Sequence, residues 1–284
     1  MTLVSVVMAA LDAEETIGEA ISSVVAQTHA DWELVVVDDG STDATLEVAS
    51  GFADPRIQII EGGRVGGLAR LRNRGIRETV GEWVAILDAD DRWLPEKLER
   101  QLSSAGDASV LHTDAYRLVG NRRERVPVRR PPGPLFEALV ENNFVYSSSV
   151  LIRRALLDEH GAFDEDPDLW GSPDYELWLR LGRVTTFGYL DEPLLVYRVH
   201  GAQMSADVTR MSRGAVAALE KHHSGRDDPD YLRRLGMLRC LARMPGRGRN
   251  ELLRALRRRP FDPSAWKWLV RSLAPSRASA RGEP

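Results

Sequence analysis

Apolar residues recur at two spacings along the first 115 residues of the chain, and these spacings predict alternating strands and helices. Four apolar, β-branched runs predict strands, at residues 3–8, 33–37, 56–61 and 82–87. Apolar positions at helical spacing predict helices between them, at residues 12–27, 44–53, 66–80 and again after Pro95. Asp12 and Glu15 form a candidate capping pair for the first helix. Because parallel neighbours need crossover connections, this alternation predicts an α/β fold with a mostly parallel sheet flanked by helices.

The pattern is looser beyond Asp114. We predict a loop, a helix, a strand and an acidic loop in turn, at residues 120–134, 135–141, 147–153 and 164–173. A helix and two strands follow, the strands at residues 185–189 and 194–199. From Asp207 onwards the pattern is helical, with breaks at Pro229, Pro245 and Pro260. We therefore predict a main domain over residues 1–203 and a helical C-terminal extension over residues 204–284.

Composition is typical of a soluble globular protein. Apolar residues make up 43% of the 284 residues, and charged residues make up 28%. The single cysteine, Cys240, cannot form an internal disulfide or a thiolate metal cage. The first apolar run has no basic segment before it, and no window approaches the roughly 18 apolar residues of a membrane-spanning helix. We therefore expect a cytoplasmic protein.

Charge is distributed unevenly between the two predicted parts. The chain has a net charge of -4, yet residues 231–284 carry 14 basic residues against Glu251, Asp262 and Glu283. The acidic main domain argues against nucleic acid as a partner. Basic amphipathic helices with tryptophan can lie at a membrane interface. We therefore expect either peripheral contact with the inner face of the membrane or simple packing of these helices on the main domain.

Acidic residues directly follow one of the buried strands. The chain contains four Asp-x-Asp pairs, Asp88/Asp90, Asp164/Asp166, Asp166/Asp168 and Asp228/Asp230. Only Asp88/Asp90 ends an apolar strand, whereas the other pairs lie in polar loops, where solvated charge is the ordinary interpretation. Three carboxylates within residues 88–91 repel one another unless a cation is present, and Mg²⁺ or Mn²⁺ prefers oxygen ligands shared with phosphates. This segment predicts a site for a metal diphosphate.

A second acidic pair, Asp38 and Asp39, ends the strand at residues 33–37. Either residue alone could be a turn or helix-cap residue. Ligands of parallel sheets bind outside the carboxyl ends of the strands, however, and these two acidic strand ends are expected at one crevice. Together, the two acidic segments predict recognition of a nucleotide.

Six segments, in this order and spacing, resemble glycosyltransferase family 2. They are VSVVMAALDAEETI, LVVVDDGSTDAT, GLARLRNRGI, WVAILDADDRW, WGSPDYELWLRL and VYRVH, and they cover about residues 2–203. The resemblance implies a GT-A (Rossmann-like) fold and an inverting, metal-dependent transferase of the hexosyltransferase type. Such an enzyme moves a sugar from a nucleotide-diphosphate sugar to a hydroxyl of an acceptor glycan, glycolipid or small molecule. The implied setting is the synthesis of cell-envelope polysaccharide or glycoconjugate.

The same resemblance implies roles for five residues of the crevice. Asp39 would contact the base, Arg72 would lie near the nucleotide, and Asp88 would bind the ribose or the metal. Asp90 would ligate Mn²⁺ or Mg²⁺, and His200 resembles a family histidine that can join the metal site.

The nucleotide end departs from the family pattern. Ala9 and Leu11 stand where the family usually has proline and tyrosine, so an aromatic stack on the base is missing. Glu15 is the third candidate nucleotide-sugar contact in this segment. The base therefore stays open, and the donor need not be uridine-based.

By the same resemblance, Asp174 would be the general base that accepts the proton of the acceptor hydroxyl. The same position suits an acidic residue at a helix N-terminus, and the two roles are compatible. The family commonly has glutamate ahead of the base, whereas this chain has Pro173. The alternative candidates for the base are Asp164, Asp166 and Asp168.

Other classes of protein share parts of this pattern. A phosphoacceptor signalling domain has its acidic pair after the first strand rather than the second. A nucleotidyltransferase would have a glycine-rich, lysine-bearing phosphate loop after the first strand, which we do not find. The main alternative is a non-catalytic sugar-nucleotide binding module, because a site can keep its ligand and lose its chemistry.

Overall fold

The computed structural model describes residues 2–64, 66–128, 134–201, 203–222 and 228–273, which form one mixed sheet flanked by helices. The strands are β1 (Val4–Ala10), β2 (Trp32–Asp38), β3 (Ile57–Glu61), β4 (Trp83–Ile86), β5 (Arg92–Trp93), β6 (Val110–Val119), β7 (Arg122–Val126), β8 (Leu151–Arg153) and β9 (Phe187–Val199). The helices are α1 (Ile17–Val25), α2 (Thr45–Ser50), α3 (Leu68–Arg77), α4 (Lys97–Ser103), α5 (Leu135–Glu141), α6 (Arg154–His160), α7 (Pro173–Leu181), α8 (Val208–His222), α9 (Pro229–Leu241), α10 (Pro245–Arg258) and α11 (Pro263–Leu273).

The first four strands form the parallel half of the sheet, in the order β3–β2–β1–β4. The four strands and three helices predicted between residues 3 and 87 are confirmed, with helices somewhat shorter than expected. In β1, Val7 packs into one hydrophobic core, whereas Val6 and Met8 pack into another. Because successive side chains of a strand point to opposite faces, both faces of this half of the sheet are covered, as parallel sheets require.

The capping pair predicted for α1 is wrong. The helix begins at Ile17, after Thr16, and Thr16 makes no side-chain cap. Asp12 instead has a positive φ of 45°, and its Oδ1 accepts a hydrogen bond from the backbone N–H of Thr42 at 2.8 Å. A contact between the loops after β1 and β2 therefore overrides the local capping signal.

The second half of the sheet mixes strand directions, so the sheet is parallel only in part. β8 pairs antiparallel with β4 and β6, whereas β6 and β9 are parallel. The predicted loop at residues 120–134 contains β7, which pairs with β6 in a charged, exposed hairpin; residues 129–133 of that loop lie outside the described residues. The strands predicted at residues 185–189 and 194–199 are one strand, β9, with an irregularity opposite Thr113 and Asp114. Period-two alternation is absent from β7 because it stands outside the core.

The strand predicted at residues 147–153 is shorter than expected. Residues Ser147–Ser149 form a 3-10 turn, and only Leu151–Arg153 belong to β8. We call Ser147–Ser149 the serine turn. Strands β5 and β6 and helix α6 were not predicted.

The C-terminal helices begin and end near the prolines at which helix breaks were predicted. Helices α9 and α10 start at Pro229 and Pro245, where a missing N–H has no cost, and α10 ends before Pro260. Leu219 of α8 and Leu232 of α9 belong to the same hydrophobic cluster as residues of α5 and α7. This cluster contains residues from both sides of the predicted domain boundary between residues 203 and 204. The boundary itself stays a prediction. Within the described ranges, no helix combines the length and apolar character needed to cross a membrane.

Candidate active site

The carboxyl ends of β1, β2 and β4 lie side by side, because β1 pairs in parallel with both other strands. Asp38 ends β2 and Asp39 follows it, and Asp88, Asp90 and Asp91 follow β4. The two acidic segments thus flank the end of β1. This is the edge at which α/β sheets bind their ligands.

Asp38 and Asp39 differ in their surroundings. Asp38 is 1% exposed, and its Oδ2 accepts hydrogen bonds from the backbone N–H groups of Gly40 (2.9 Å) and Ser41 (3.0 Å). Its carboxylate therefore holds the turn, in which Gly40 has a φ of +81°. Asp39 is partly exposed, and its Oδ1 accepts from the N–H of Gly66 at 3.2 Å. Asp39 is therefore the member of the pair that a ligand can reach.

The other predicted nucleotide contacts lie next to Asp39. Ala9 is partly buried at the end of β1, and Leu11 and Glu15 are exposed in the loop that follows. The backbone N–H of Asp39 donates to the carbonyl oxygen of Ala10 at 2.9 Å, which fixes this loop beside the end of β2. The structure thus brings these four residues to one edge.

The carboxylates after β4 are crowded and have different partners. Asp88 Oδ1 lies 2.6 Å from Arg72 Nη2, and Asp90 Oδ2 lies 3.0 Å from His200 Nε2. Burial, and then the charge of Asp88, raises the pKa of Asp90. Burial, and then the charges of Asp90 and Asp88, raises the pKa of Asp91 well above its usual range. Full ionisation of this segment is therefore disfavoured without added positive charge.

Arg72 of α3 lies deeper than the family resemblance implies. It is 1% exposed, and its guanidinium carbon lies 5.2 Å from the centre of the Phe163 ring. Its Nη2 binds Asp88, whereas its Nε and Nη1 have no hydrogen-bond partner in the described part of the chain. Buried polar groups almost always have a partner, so these two enclosed nitrogens are exceptions within the described structure.

Asp174 lies in the first turn of α7. Pro173 is the first residue of that helix, a position at which proline is favoured, so the departure from the family pattern is compatible with the helix start. Ser147 Oγ donates a hydrogen bond to Asp174 Oδ2 at 2.9 Å. Burial raises the pKa of Asp174, while the charge of Arg72 and the bond from Ser147 oppose that rise. Asp174 is thus a carboxyl with a raised pKa at the edge of a cavity.

A cavity of about 700 Å³ lies at the acidic segment after β4, and neither Asp39 nor His200 is among the residues that line it. Arg72, Asp88, Asp90 and Asp174 line one part of it, and Arg117 of the β6–β7 hairpin lines another. This volume lies within the range of about 300 to 1,000 Å³ that is usual for ligand pockets. The cavity is large enough for a sugar unit next to the acidic segment.

The alternative candidates for the base do not line this cavity. Asp164 Oδ2 and Asp166 Oδ2 lie 2.7 and 2.8 Å from Lys221 Nζ of α8. The N–H of Asp168 donates to Asp166 Oδ1 at 3.0 Å. These acids join α8 to the loop before α7.

Three residues that the sequence interpretation omits organise the site. Ser148 Oγ accepts a hydrogen bond from the N–H of Asp88 at 3.1 Å, and Ser147 binds Asp174. The backbone N–H of Arg198 donates to Asp91 Oδ1 at 3.0 Å. The available signal was the triplet of serines directly before an apolar run, a composition typical of a turn rather than a strand.

A metal ion would find two ligands at one point. In the described ranges, no group of three or more His, Cys, Asp or Glu side chains is arranged to hold a metal ion. Asp90 and His200, however, bring a carboxylate and an imidazole together at 3.0 Å. Mg²⁺ and comparable ions often take one or two carboxylates and complete their coordination with water and substrate phosphates. The pair therefore fits an ion that is shared with a diphosphate.

Comparison with solved structures shows a common fold. The chain superposes on S. aureus TarS 1-349 in complex with UDP-GlcNAc with a TM-score of 0.63, at 16% identity, covering 96% of this chain and 89% of that one. It also matches the mannosyltransferase PcManGT from Pyrobaculum calidifontis, in complex with GDP-Man and Mn2+, with a TM-score of 0.60 at 19% identity, over 89% and 73% of the two chains. The chain therefore has the GT-A fold.

Sequence comparison extends the likeness beyond the fold. The chain is 33% identical over 181 residues to the UDP-Glc:alpha-D-GlcNAc-diphosphoundecaprenol beta-1,3-glucosyltransferase WfgD of Escherichia coli, covering 63% of this chain and 69% of that protein. It is 28% identical to the putative teichuronic acid biosynthesis glycosyltransferase TuaG of Bacillus subtilis, over 72% of this chain and 82% of that protein. The family model described as glycosyl transferase family 2 matches residues 5–161. The chain belongs to glycosyl transferase family 2.

Proposed function

We propose that this protein transfers a hexose from a nucleotide-diphosphate sugar to an acceptor hydroxyl, with inversion, in the synthesis of a cell-envelope glycan. The observation that carries the proposal is the cavity that is lined by both Asp174 and the acidic segment after β4. WfgD and TuaG, which act in related syntheses by their names, support this setting. The substrates in the name of WfgD suggest UDP-Glc as the first donor to test and a lipid-linked glycan as the acceptor class.

The donor occupies the edge from Asp39 to Asp88 in this proposal. Asp39 accepts a hydrogen bond from the base, and Leu11 lies beside the base where an aromatic residue would stack. Asp88 accepts from the ribose, held in place by its pair with Arg72.

Asp90 and His200 hold Mn²⁺ or Mg²⁺ in this proposal. A bound ion would offset the negative charge that develops on the departing diphosphate. The raised pKa of Asp90 supports this assignment, because burial and the neighbouring Asp88 make extra positive charge favourable there.

Asp174 is the general base in this proposal. Its carboxylate accepts the proton of the acceptor hydroxyl as that oxygen attacks the anomeric carbon, opposite the leaving diphosphate. Burial raises the pKa of Asp174 and so increases its basicity, while Ser147 orients the carboxylate. One displacement inverts the anomeric centre, so no covalent enzyme intermediate is required.

The test is release of nucleoside diphosphate from UDP-, GDP- and dTDP-sugars with and without Mn²⁺. We expect turnover of one donor, lost in Asp90→Asn and Asp174→Asn. The matched control is Asp164→Asn, which removes the same charge from the pair with Lys221 outside the cavity and should keep activity. Binding of a donor without any turnover would favour the non-catalytic binding module instead.

We further propose that the protein is cytoplasmic and that its C-terminal helices contact the inner face of the membrane. Four large apolar side chains are exposed near the end of the described chain, namely Phe261, Trp266, Val270 and Leu273. Trp266, Val270 and Leu273 share one face of α11, next to the exposed Lys267 and Arg271. An apolar strip beside basic residues suits an anionic lipid surface.

Sedimentation with lipid vesicles tests this contact. We expect binding to vesicles that contain phosphatidylglycerol, and weaker binding for Trp266→Ser combined with Val270→Ser. Equal recovery of the parent protein with phosphatidylglycerol and with pure phosphatidylcholine would contradict the proposed electrostatic attraction.

A further inference from the structure

Behind the active site, four buried residues connect α4 to the serine turn. Gln101 Nε2 donates to the carbonyl oxygen of Ser149 at 2.9 Å, and Trp93 Nε1 donates to that of Ser148 at 2.7 Å. Lys97 Nζ donates to Gln101 Oε1 at 2.7 Å. Trp93 is 3% exposed, and Ser149, Lys97 and Gln101 are fully buried. The turn is therefore held from behind by side chains that touch no cavity-lining carboxylate in the described contacts.

The other side of the serine turn faces both halves of the proposed reaction. Ser147 donates to Asp174, the proposed base, and Ser148 binds the N–H of Asp88 in the donor segment. A displacement of this turn would therefore move the base relative to the donor. Displacements of about 1 Å can lower a rate by roughly 100-fold.

Gln101 can take only one orientation here. A backbone carbonyl only accepts hydrogen bonds, so Gln101 turns its N–H₂ to the Ser149 carbonyl and its oxygen to Lys97 Nζ, which donates to it. Burial lowers the pKa of Lys97 well below its usual range, and this orientation does not require the charged amine. Lys97 Nζ also lies 4.1 Å from the centre of the Trp93 ring, so it contacts both side chains that donate to the turn.

We propose that Gln101, which is packed against Lys97, is a positioning residue that aligns Asp174 with the donor through the serine turn. This inference rests on the proposed transferase function. It assigns a role to a buried pair on α4 that makes no direct contact with the proposed substrates.

The experiment compares two chemically identical substitutions at buried glutamines. Gln101→Glu keeps an oxygen for Lys97 and removes the N–H donor to Ser149. Gln27→Glu is the matched control, because Gln27 is 7% exposed and its Nε2 donates at 2.8 Å to Leu94 instead. Gln101→Met, which has no charge, serves as a second variant in case the carboxylate prevents folding.

Release of UDP from UDP-Glc or UDP-GlcNAc with Mn²⁺ is measured against pH, together with thermal unfolding. We expect Gln101→Glu and Gln101→Met to lower kcat roughly 10- to 100-fold, as loss of an indirect support typically does. The acid limb of kcat should move to higher pH, because the Ser147 bond that lowers the pKa of Asp174 is loosened. Gln27→Glu should lose a similar amount of thermal stability. Its kcat and the acid limb of its pH profile should match those of the parent.

Amide hydrogen exchange of the metal-free protein provides a readout besides activity. Exchange at the N–H of Asp88 should accelerate in Gln101→Glu and stay unchanged in Gln27→Glu, because that N–H donates to Ser148. If the parent is active and Gln101→Glu and Gln27→Glu lower kcat equally, the positioning role is overturned and the proposed function stands. A parent that turns over no donor would contradict the proposed function and the inference with it.

Discussion

The two ends of the proposed active site differ in how their charges are held. At the Asp39 end, the loops after β1 and β2 are partly exposed, and backbone N–H groups bind the carboxylates. At the Asp174 end, charged side chains are more enclosed and compensate one another, as in the pair of buried Arg72 and partly exposed Asp88. Charge interactions are weak in water and strong in a buried site. Substitutions should therefore have large, pH-dependent effects at the Asp174 end and smaller effects on affinity at the Asp39 end.

The largest effect is expected from Arg72→Met. The change leaves Asp88 without its partner and removes the positive charge that lowers the pKa of Asp174. Breaking this partly buried ion pair should lower the thermal stability, and we expect a loss of kcat/KM of about 100-fold or more. Thermal unfolding and donor turnover measure the two effects. Arg72→Lys keeps the charge, so wild-type turnover in that variant would show that the guanidinium geometry is dispensable.

An effect of about 10-fold is expected from Asp39→Ala. Loss of one hydrogen bond that involves a charged group should raise the KM for the donor and leave kcat unchanged. Asp38→Ala is the comparison, because Asp38 holds the turn and its loss should lower thermal stability. A fall in kcat for Asp39→Ala, with KM unaltered, would break the contrast between the two ends.

The same contrast explains what the sequence could predict. Strands β1, β2 and β4 are buried on both faces, so their apolar runs and the acidic residues that end β2 and β4 are visible in the sequence. Strand β7 is charged and exposed, and β5 has two residues, so neither has an apolar pattern. The serine turn acts through contacts with residues 27 to 60 positions away, which no local spacing encodes. Residues at strand ends were therefore predictable, and those that orient them were not.

A smaller effect, confined to low pH, is expected from Ser147→Ala. Burial raises the pKa of Asp174, and the Ser147 hydroxyl opposes that rise. Without the hydroxyl the pKa rises further, so the base is protonated at a higher pH and the acid limb of kcat moves upward. At high pH, where Asp174 is ionised in both proteins, kcat should change by less than about threefold, because the turn keeps its bonds to Asp88 and Gln101 and is not displaced as in Gln101→Glu. A pH profile of donor turnover measures both limbs, and an unmoved acid limb would argue against Asp174 as the titrating base.

The smallest effect is expected from Leu11→Tyr at the Asp39 end. Leu11 is 51% exposed in the loop after β1, where a larger side chain meets solvent rather than the core. If the base binds beside Asp39, an aromatic ring at this position should stack on it and tighten UDP binding about threefold. Isothermal titration with UDP measures the change, and Leu11→Ala should bind as the parent does. Because the ring adds contact only with the base, kcat should stay the same, whereas any substitution at the Asp174 end alters it. Unchanged affinity in Leu11→Tyr would mean that the base lies elsewhere along the edge, and the role of Asp39 would have to be reassigned with it.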